Sequence, residues 1–234
     1  MKITLINGSM RHGSTWHCAD AVLQELRKTG DTQVTEFFLP RDMPHFCNGC
    51  FSCIYHGEDT CPHASSIQPL VEAVTQADLI VLTSPVYAMD VSGGMKALLD
   101  HLCFMWMSHR PNAAMFGKAG LTVVTAAGSG LSHTAKTLKN SLRFWGVKKV
   151  YGFSSRVAAM KWSDVSEKTQ AKIRRNAGKL AARIVKSVSA RTQRPLFRSF
   201  FFRLMAGMQK KNDWNPTDRN HWLAQGWLEG KRPF

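Results

Sequence analysis

No apolar run in this 234-residue chain approaches the ~18 residues that would mark a membrane span, and the opening MKITLING is too brief for a secretory leader. Those absences make the cytoplasm the expected compartment. Internal repeats and low-complexity tracts are also missing, and 44% hydrophobic with 20% charged residues excludes a disordered or fibrous chain. No nucleophile is paired in an evident way with a base, so a hydrolytic triad is not expected. Acidic residues are scarce, 16 against 31 Lys and Arg, for a net charge of +15. The shortage is uneven. Residues 1–160 hold 14 cations against 11 acids, whereas residues 161–234 hold 17 against 5. A nearly neutral first part therefore carries a basic C-terminal third, suited to phosphates, lipid headgroups or another subunit.

What is present is a regular alternation. KITLIN (2–7), QVTEFFL (33–39), DLIVLTSP (78–85), GLTVVTA (120–126) and VKKVYGFSS (147–155) predict five strands. Apolar spacing predicts helices over about 14–28, 66–75, 95–106, 131–145 and from 163 onward. Strands alternating with helices, with no hairpin signal between them, predict an α/β doubly wound five-stranded parallel sheet. The chain is long enough to bury a sizeable core of this kind. The division expected is a domain over 1–190, carrying a cysteine-rich insertion at 45–63, and a basic, aromatic-rich helical extension over 191–234. Ligands of such sheets bind at the carboxyl ends of the strands, so the strand-to-helix loops carry the functional reading.

The first loop, GSMRHGST (8–15), combines tight-turning glycines, the hydroxyls of Ser9, Ser14 and Thr15, the cation of Arg11 and the N-terminus of the following helix. It lacks the Lys of a Walker loop and the glycine spacing of a dinucleotide fingerprint, which favours a monophosphate; a plain helix cap is the competing reading. The second loop, SPVYAMD (84–90), offers the ring of Tyr87 beside free backbone groups, a wall for a planar heterocycle or simply a ring packed on the sheet edge. The third, TAAGSGLSH (125–133), has small residues that let a ligand approach the backbone, but His133 stands where a dinucleotide motif has its last Gly.

NGSMRHGST, then SPVY followed by GGMKALLDH, then TAAGSG together resemble the flavodoxin-like NAD(P)H-dependent FMN reductase and iron-sulfur flavoprotein family, through most of residues 1–155. The resemblance implies that Ser9, Arg11, Gly13, Ser14 and Thr15 hold the FMN phosphate, that Pro85, Val86 and Tyr87 contact the isoalloxazine, and that Ala127, Gly128 and Gly130 approach the ring. It also implies NAD(P)H as transient electron donor, a small-molecule or protein electron acceptor, and a homodimer or homotetramer. Flavin-based chemistry needs no catalytic side chain, and His109 and His133 are expected to be ordinary structural or solvated residues. No nucleic-acid partner is expected.

CNGCFSCIYHGEDTC (47–61) holds Cys47, Cys50, Cys53 and Cys61, four of the six cysteines. A reducing compartment disfavours disulfides, and C-x2-C-x2-C-x7-C can wrap a 4Fe-4S cluster. Two alternatives stay open: no metal, or zinc on four thiolates or on three with His45, His56 or His63. Cys18 and Cys103 fall on helix faces and are expected as buried thiols, and Met105, Trp106 and Met107 as core or subunit contacts. In the extension, Pro195 is expected to start a helix whose Phe197, Phe201, Leu204, Met205 and Met208 form one apolar stripe. With Trp214, Trp222 and Trp227 nearby, subunit or self contact is favoured over a membrane surface.

Overall fold

Each of the five apolar runs forms a parallel strand in the computed structural model, which describes residues 1–189 and 196–234, without the side chains of 196–198. The strands are β1 (Lys2–Asn7), β2 (Gln33–Phe38), β3 (Leu79–Pro85), β4 (Ala119–Ala126) and β5 (Lys149–Arg156). Their order is β2-β1-β3-β4-β5, with Ile3 in register with Val34 on one side and Leu79 on the other. This order reverses direction between β1 and β3, which creates the crevice where ligands of such sheets bind.

Burial explains the sequence pattern of the strands. β4 is buried at all eight positions and β3 at six of seven, so neither alternates; the edge strands β2 and β5 do expose residues to solvent. On one face lie α1 (Ser14–Arg27) and α6 (Glu167–Ser189), whose Cys18, Val22, Leu26, Ile173, Leu180 and Ile184 pack on Leu5, Val81 and Val123. Each such aliphatic side chain contributes about 1.5–3 kcal/mol on burial. The opposite face is covered by α3 (Ala64–Gln76), α4 (Gly93–His101) and α5 (Leu131–Phe144), and the short α2 (Ser52–Tyr55) joins this layer through Ile54.

The helix expected over 95–106 ends at His101, and Leu102–Met105 tighten into a 3-10 turn. There Leu102, Phe104 and Met105 are all buried, and a turn of three residues stacks Leu102 over Met105 where an α-helix would splay them. Met107 is buried as well and Trp106 stacks on Phe144, rings 4.4 Å apart, so this segment is packing. The extension contains α7 (Leu196–Lys210) and α8 (Pro216–Ala224). The expected helix start at Pro195 and the side chain of Phe197 lie outside the described residues. The inward face of α7 is not the expected stripe: Phe202, Met205, Ala206 and Gln209 are buried, while Leu204 and Met208 are exposed. Phe202 decides this rotation by nesting among Phe116, Trp222 and Trp227. Trp222 and Trp227 are buried, and Trp214 is exposed.

Candidate functional site

Three strand-to-helix loops and the segment after β5 enclose an open cleft of about 210 Å3 beyond the carboxyl ends of β1, β3 and β4. The chain leaves β1 at Asn7, whose side-chain amide donates to Glu36 Oε1 (2.8 Å) and whose carbonyl oxygen accepts from Thr83 Oγ1 (3.2 Å). Gly8 follows in close contact with β3: a Cβ there would stand 2.6 Å from the Thr83 carbonyl oxygen. Only glycine fits, so this residue sets how the phosphate-type loop leaves the sheet. Gly13 caps α1 without a side-chain hydrogen bond, and the first-turn N–H groups of α1 are left for a ligand at the positive end of the helix. Ser9, Arg11, Gly13, Ser14 and Thr15 all line the cleft. Thr15 is tied to Thr125 through their hydroxyls, and the Arg11 guanidinium donates to the Met160 carbonyl at 3.0 Å.

The second loop is a tight reversal. Tyr87 and Asp90 exchange backbone hydrogen bonds of 2.9 and 3.0 Å, and the two residues between them, Ala88 (φ 47°) and Met89 (φ 69°), are both left-handed. Neither is glycine, and such residues cost about 1–2 kcal/mol each in this conformation. Strain of this kind clusters at ligand sites. Asp90 holds the turn: its carboxylate accepts from the Val91 N–H (2.7 Å) and the Thr137 hydroxyl (3.1 Å) and pairs with His133 Nε2 (3.2 Å). Burial raises its pKa, but these hydrogen bonds outweigh burial and hold the carboxyl below its ordinary value. His133 therefore has Asp90 as a partner in the fold. Pro85, Val86 and the half-exposed Tyr87 line the cleft.

Of the third-loop residues, Ala127 lines the cleft and Gly128 and Gly130 do not. Gly130, at φ 90°, begins α5 against the second loop, and a Cβ there would lie 2.5 Å from Val86 Cγ1. Its role is to let those two loops touch. Sequence reasoning missed Trp16, Val157, Ala159 and Met160, which also line the cleft. The last three follow β5 at the same carboxyl edge, so the sheet topology was the available signal. Trp16 stacks on His12 (4.6 Å) and donates to Glu36 (2.8 Å).

The cysteine loop follows β2 and none of its cysteines lines the cleft. Cys47 and Cys50 are exposed, and Cys53 and Cys61 are half-buried against the α3–α5 layer. Burial raises the Cys61 thiol, the neighbouring Cys53, Cys50 and Cys47 raise it further, and a hydrogen bond from the His63 N–H opposes them. Cys61 thus feels the charge of the other three, but no three of the four sulfurs lie within 4.8 Å of one another, and all six cysteines are free thiols. Cys18 is buried, as expected, with its pKa pushed up to about 12 by burial. Cys103 corrects the expectation: it is only half-buried, and its thiol hydrogen-bonds that of Cys53. This contact raises the Cys53 thiol and lowers that of Cys103.

The family model of the NADPH-dependent FMN reductases matches residues 1–159. The chain belongs to this family. An iron-sulfur flavoprotein of Archaeoglobus fulgidus is 32% identical over 152 residues, 64% of this chain and 66% of that protein. One of Methanosarcina thermophila is 26% identical over 171 residues, 72% of this chain and 86% of that protein. The match to the first thus spans just under two thirds of its length. An azoreductase from Bacillus anthracis shares the fold at 13% identity, with a TM-score of 0.59 over 78% of this chain and 99% of that one. The architecture is flavodoxin-like with a helical C-terminal extension.

The family match ends before α6, yet the extension beyond it returns to the cysteine loop. Asp218 on α8 is fully buried and accepts from Arg110 (2.6 Å), His109 (2.7 Å) and Asn215 (2.9 Å). Arg110 in turn donates to the carbonyls of Cys53 and Ile54 and to Glu58, Asn215 donates to the Ile54 carbonyl, and Thr217 to that of Tyr55. Every exposed C-terminal carbonyl of α2 is thereby given a donor. His109 is a member of this network and does not line the cleft. Among the described residues, no helix is long and apolar enough to cross a membrane.

Proposed function

We propose that the protein is an FMN-dependent oxidoreductase that takes electrons from NADH or NADPH and passes them to a flavin, quinone or electron-carrier protein, by way of a 4Fe-4S cluster. The observation that carries the reading is the meeting of the phosphate-type loop, the Tyr87 turn and the small third loop in one cleft at the switch point of the sheet. The residues fit the flavin. Gly13 lines the cleft with nothing within 4 Å of where a Cβ would stand, and beside it are hydroxyls, free helix N–H groups and a cation.

FMN, when bound, supplies a ring that accepts a hydride and can release electrons singly. The chain's own part is placement. Ser9, Ser14, Thr15 and the α1 N-terminus bind the phosphate, and Arg11 adds positive charge. Pro85, Val86 and Tyr87 orient the ring through backbone groups and the flat Tyr face, and Ala127 lines the same cleft. The donor set of the cysteine loop likewise fits a cluster in its chemistry: four free thiols on one loop at C-x2-C-x2-C-x7-C spacing. Cys47, Cys50, Cys53 and Cys61 would hold it, and it would supply one-electron transfer to a partner. Free thiols suit the reducing cytoplasm.

Anaerobic purification, FMN loading and addition of NADH or NADPH test the reading. Bleaching of the flavin absorbance by either nucleotide is expected. A flavin that stays oxidised with both, yet bleaches with a reduced ferredoxin-type carrier, would leave an electron carrier in place of the enzyme. Iron and sulfide analysis of the same preparation decides the cluster.

A further inference from the structure

The cysteine loop ends in Cys61-Pro62-His63, and the last residue of α4 is His101. The sulfur of Cys61 and one ring nitrogen of each histidine lie within 4.8 Å of one another. His101 is buried, and its Nδ1 is 2.8 Å from the Ala97 carbonyl oxygen. A carbonyl only accepts, so the ring proton sits on Nδ1 and Nε2 presents its lone pair. That Nε2 faces Nδ1 of His63 at 3.0 Å. The His63 ring is held by His45, stacked on it with centroids 4.4 Å apart and planes within 9°. The sulfur of Cys61 accepts the backbone N–H of His63.

We propose that Cys61, His63 and His101 form a mononuclear site for a divalent transition ion of the zinc class. Two imidazole nitrogens on one tetrahedral zinc stand ~3.3 Å apart, given Zn–N distances of ~2.0–2.1 Å. The observed 3.0 Å therefore has to open by only a few tenths of an ångström. The Nδ1–H bond of His101 to a backbone carbonyl is the outer contact that fixes tautomer and ring orientation in metal-bound histidines. One thiolate with two imidazoles selects zinc or cobalt over magnesium or calcium. Binding displaces the thiol proton of Cys61 and moves the His63 proton to Nε2, leaving that of His101 in place. The site shares only Cys61 with the four-thiolate set, so a cluster and a mononuclear ion compete for that sulfur.

Cobalt(II) is the probe, added anaerobically to cluster-free chain and read by its thiolate charge-transfer and four-coordinate d–d absorption. A single tight Co2+ with both features is expected, and zinc should displace it. His63→Ala and His101→Ala should each weaken binding by more than ~100-fold, since an outer contact alone is worth ~10–100-fold. Cys47→Ser should bind as the parent does. Far-UV circular dichroism checks the fold, and if His101→Ala fails it, His63→Ala on its half-exposed ring decides. The proposal is overturned if the cobalt spectrum lacks the thiolate band, if neither histidine change weakens binding, or if Cys47→Ser abolishes it. Neither nucleotide oxidation nor flavin content enters the readout, so this site and the flavin chemistry stand or fall separately, and only the cluster, which shares Cys61, is linked to its outcome.

Discussion

Replacing Asp218 by Ala removes the acceptor on which Arg110, His109 and Asn215 converge, 2.6 to 2.9 Å away and with no solvent access. Arg110, itself buried, keeps Glu58 as a counter-charge at 3.1 Å, but Glu58 is half-exposed and on the mobile-solvent side of the pair. Breaking a buried pair by deleting one partner costs about 3–5 kcal/mol, because the remaining charge is stranded. For a chain of this size that lowers the melting temperature by roughly 6–20 °C. The surface pair Lys96–Asp100 is the control, since removing an exposed partner costs about 1 kcal/mol or less. Thermal unfolding followed by circular dichroism gives the first readout. The second is local: with the clamp gone, the carbonyls of Cys53 and Ile54 lose donors, and half-buried Cys53 should be alkylated at a rate closer to those of Cys47 and Cys50. An Asp218→Ala chain that melts within the Lys96→Ala shift and labels Cys53 no faster would refute the clamp.

Three further outcomes are expected. Mass mapping after brief iodoacetamide treatment at pH 8 should find Cys47 and Cys50 modified and Cys18 untouched, because Cys18 is buried with its pKa near 12; native-state labelling of Cys18 would contradict this. Gly130→Ala combines a left-handed backbone with a Cβ 2.5 Å from Val86, and urea unfolding should show a loss of about 2–4 kcal/mol. Because the Asp90 carboxyl is depressed in the fold, the stability it contributes is present above the ordinary Asp pKa of about 3.9 and is lost as pH falls through the lower folded value. Acid titration of Asp90→Asn should lack that part of the loss, and identical acid profiles would sink the assignment.

The sheet was legible because its signal is one-dimensional. Unalternating runs such as LIVLTSP announce strands covered on both faces, and GSMRHGST and SPVY announce loops that must lie at the carboxyl edge once the strands are parallel. Helix limits shifted where consecutive apolar residues needed an all-round pocket, as at Leu102–Met105. The face of α7 was misjudged for a related reason: Phe201, Leu204, Met205 and Met208 and Phe202, Met205, Ala206 and Gln209 are neighbouring stripes on one helix. Periodicity supplies the stripe, and the partner surface at Phe116 and Trp222 chooses which one is buried.

By itself, then, the sequence determined strand and helix order, the parallel sheet and the hydroxyl- and glycine-bearing loops, since each depends on local spacing and on how much of an element is apolar. Tertiary structure alone decided that Met160 joins the cleft, that Asp218 holds the cysteine loop through Arg110, and that His101 meets Cys61 and His63. Those contacts join residues far apart in the chain. Their physical basis is the pairing of buried donors, acceptors and charges across packed elements, which leaves no period in the sequence to read.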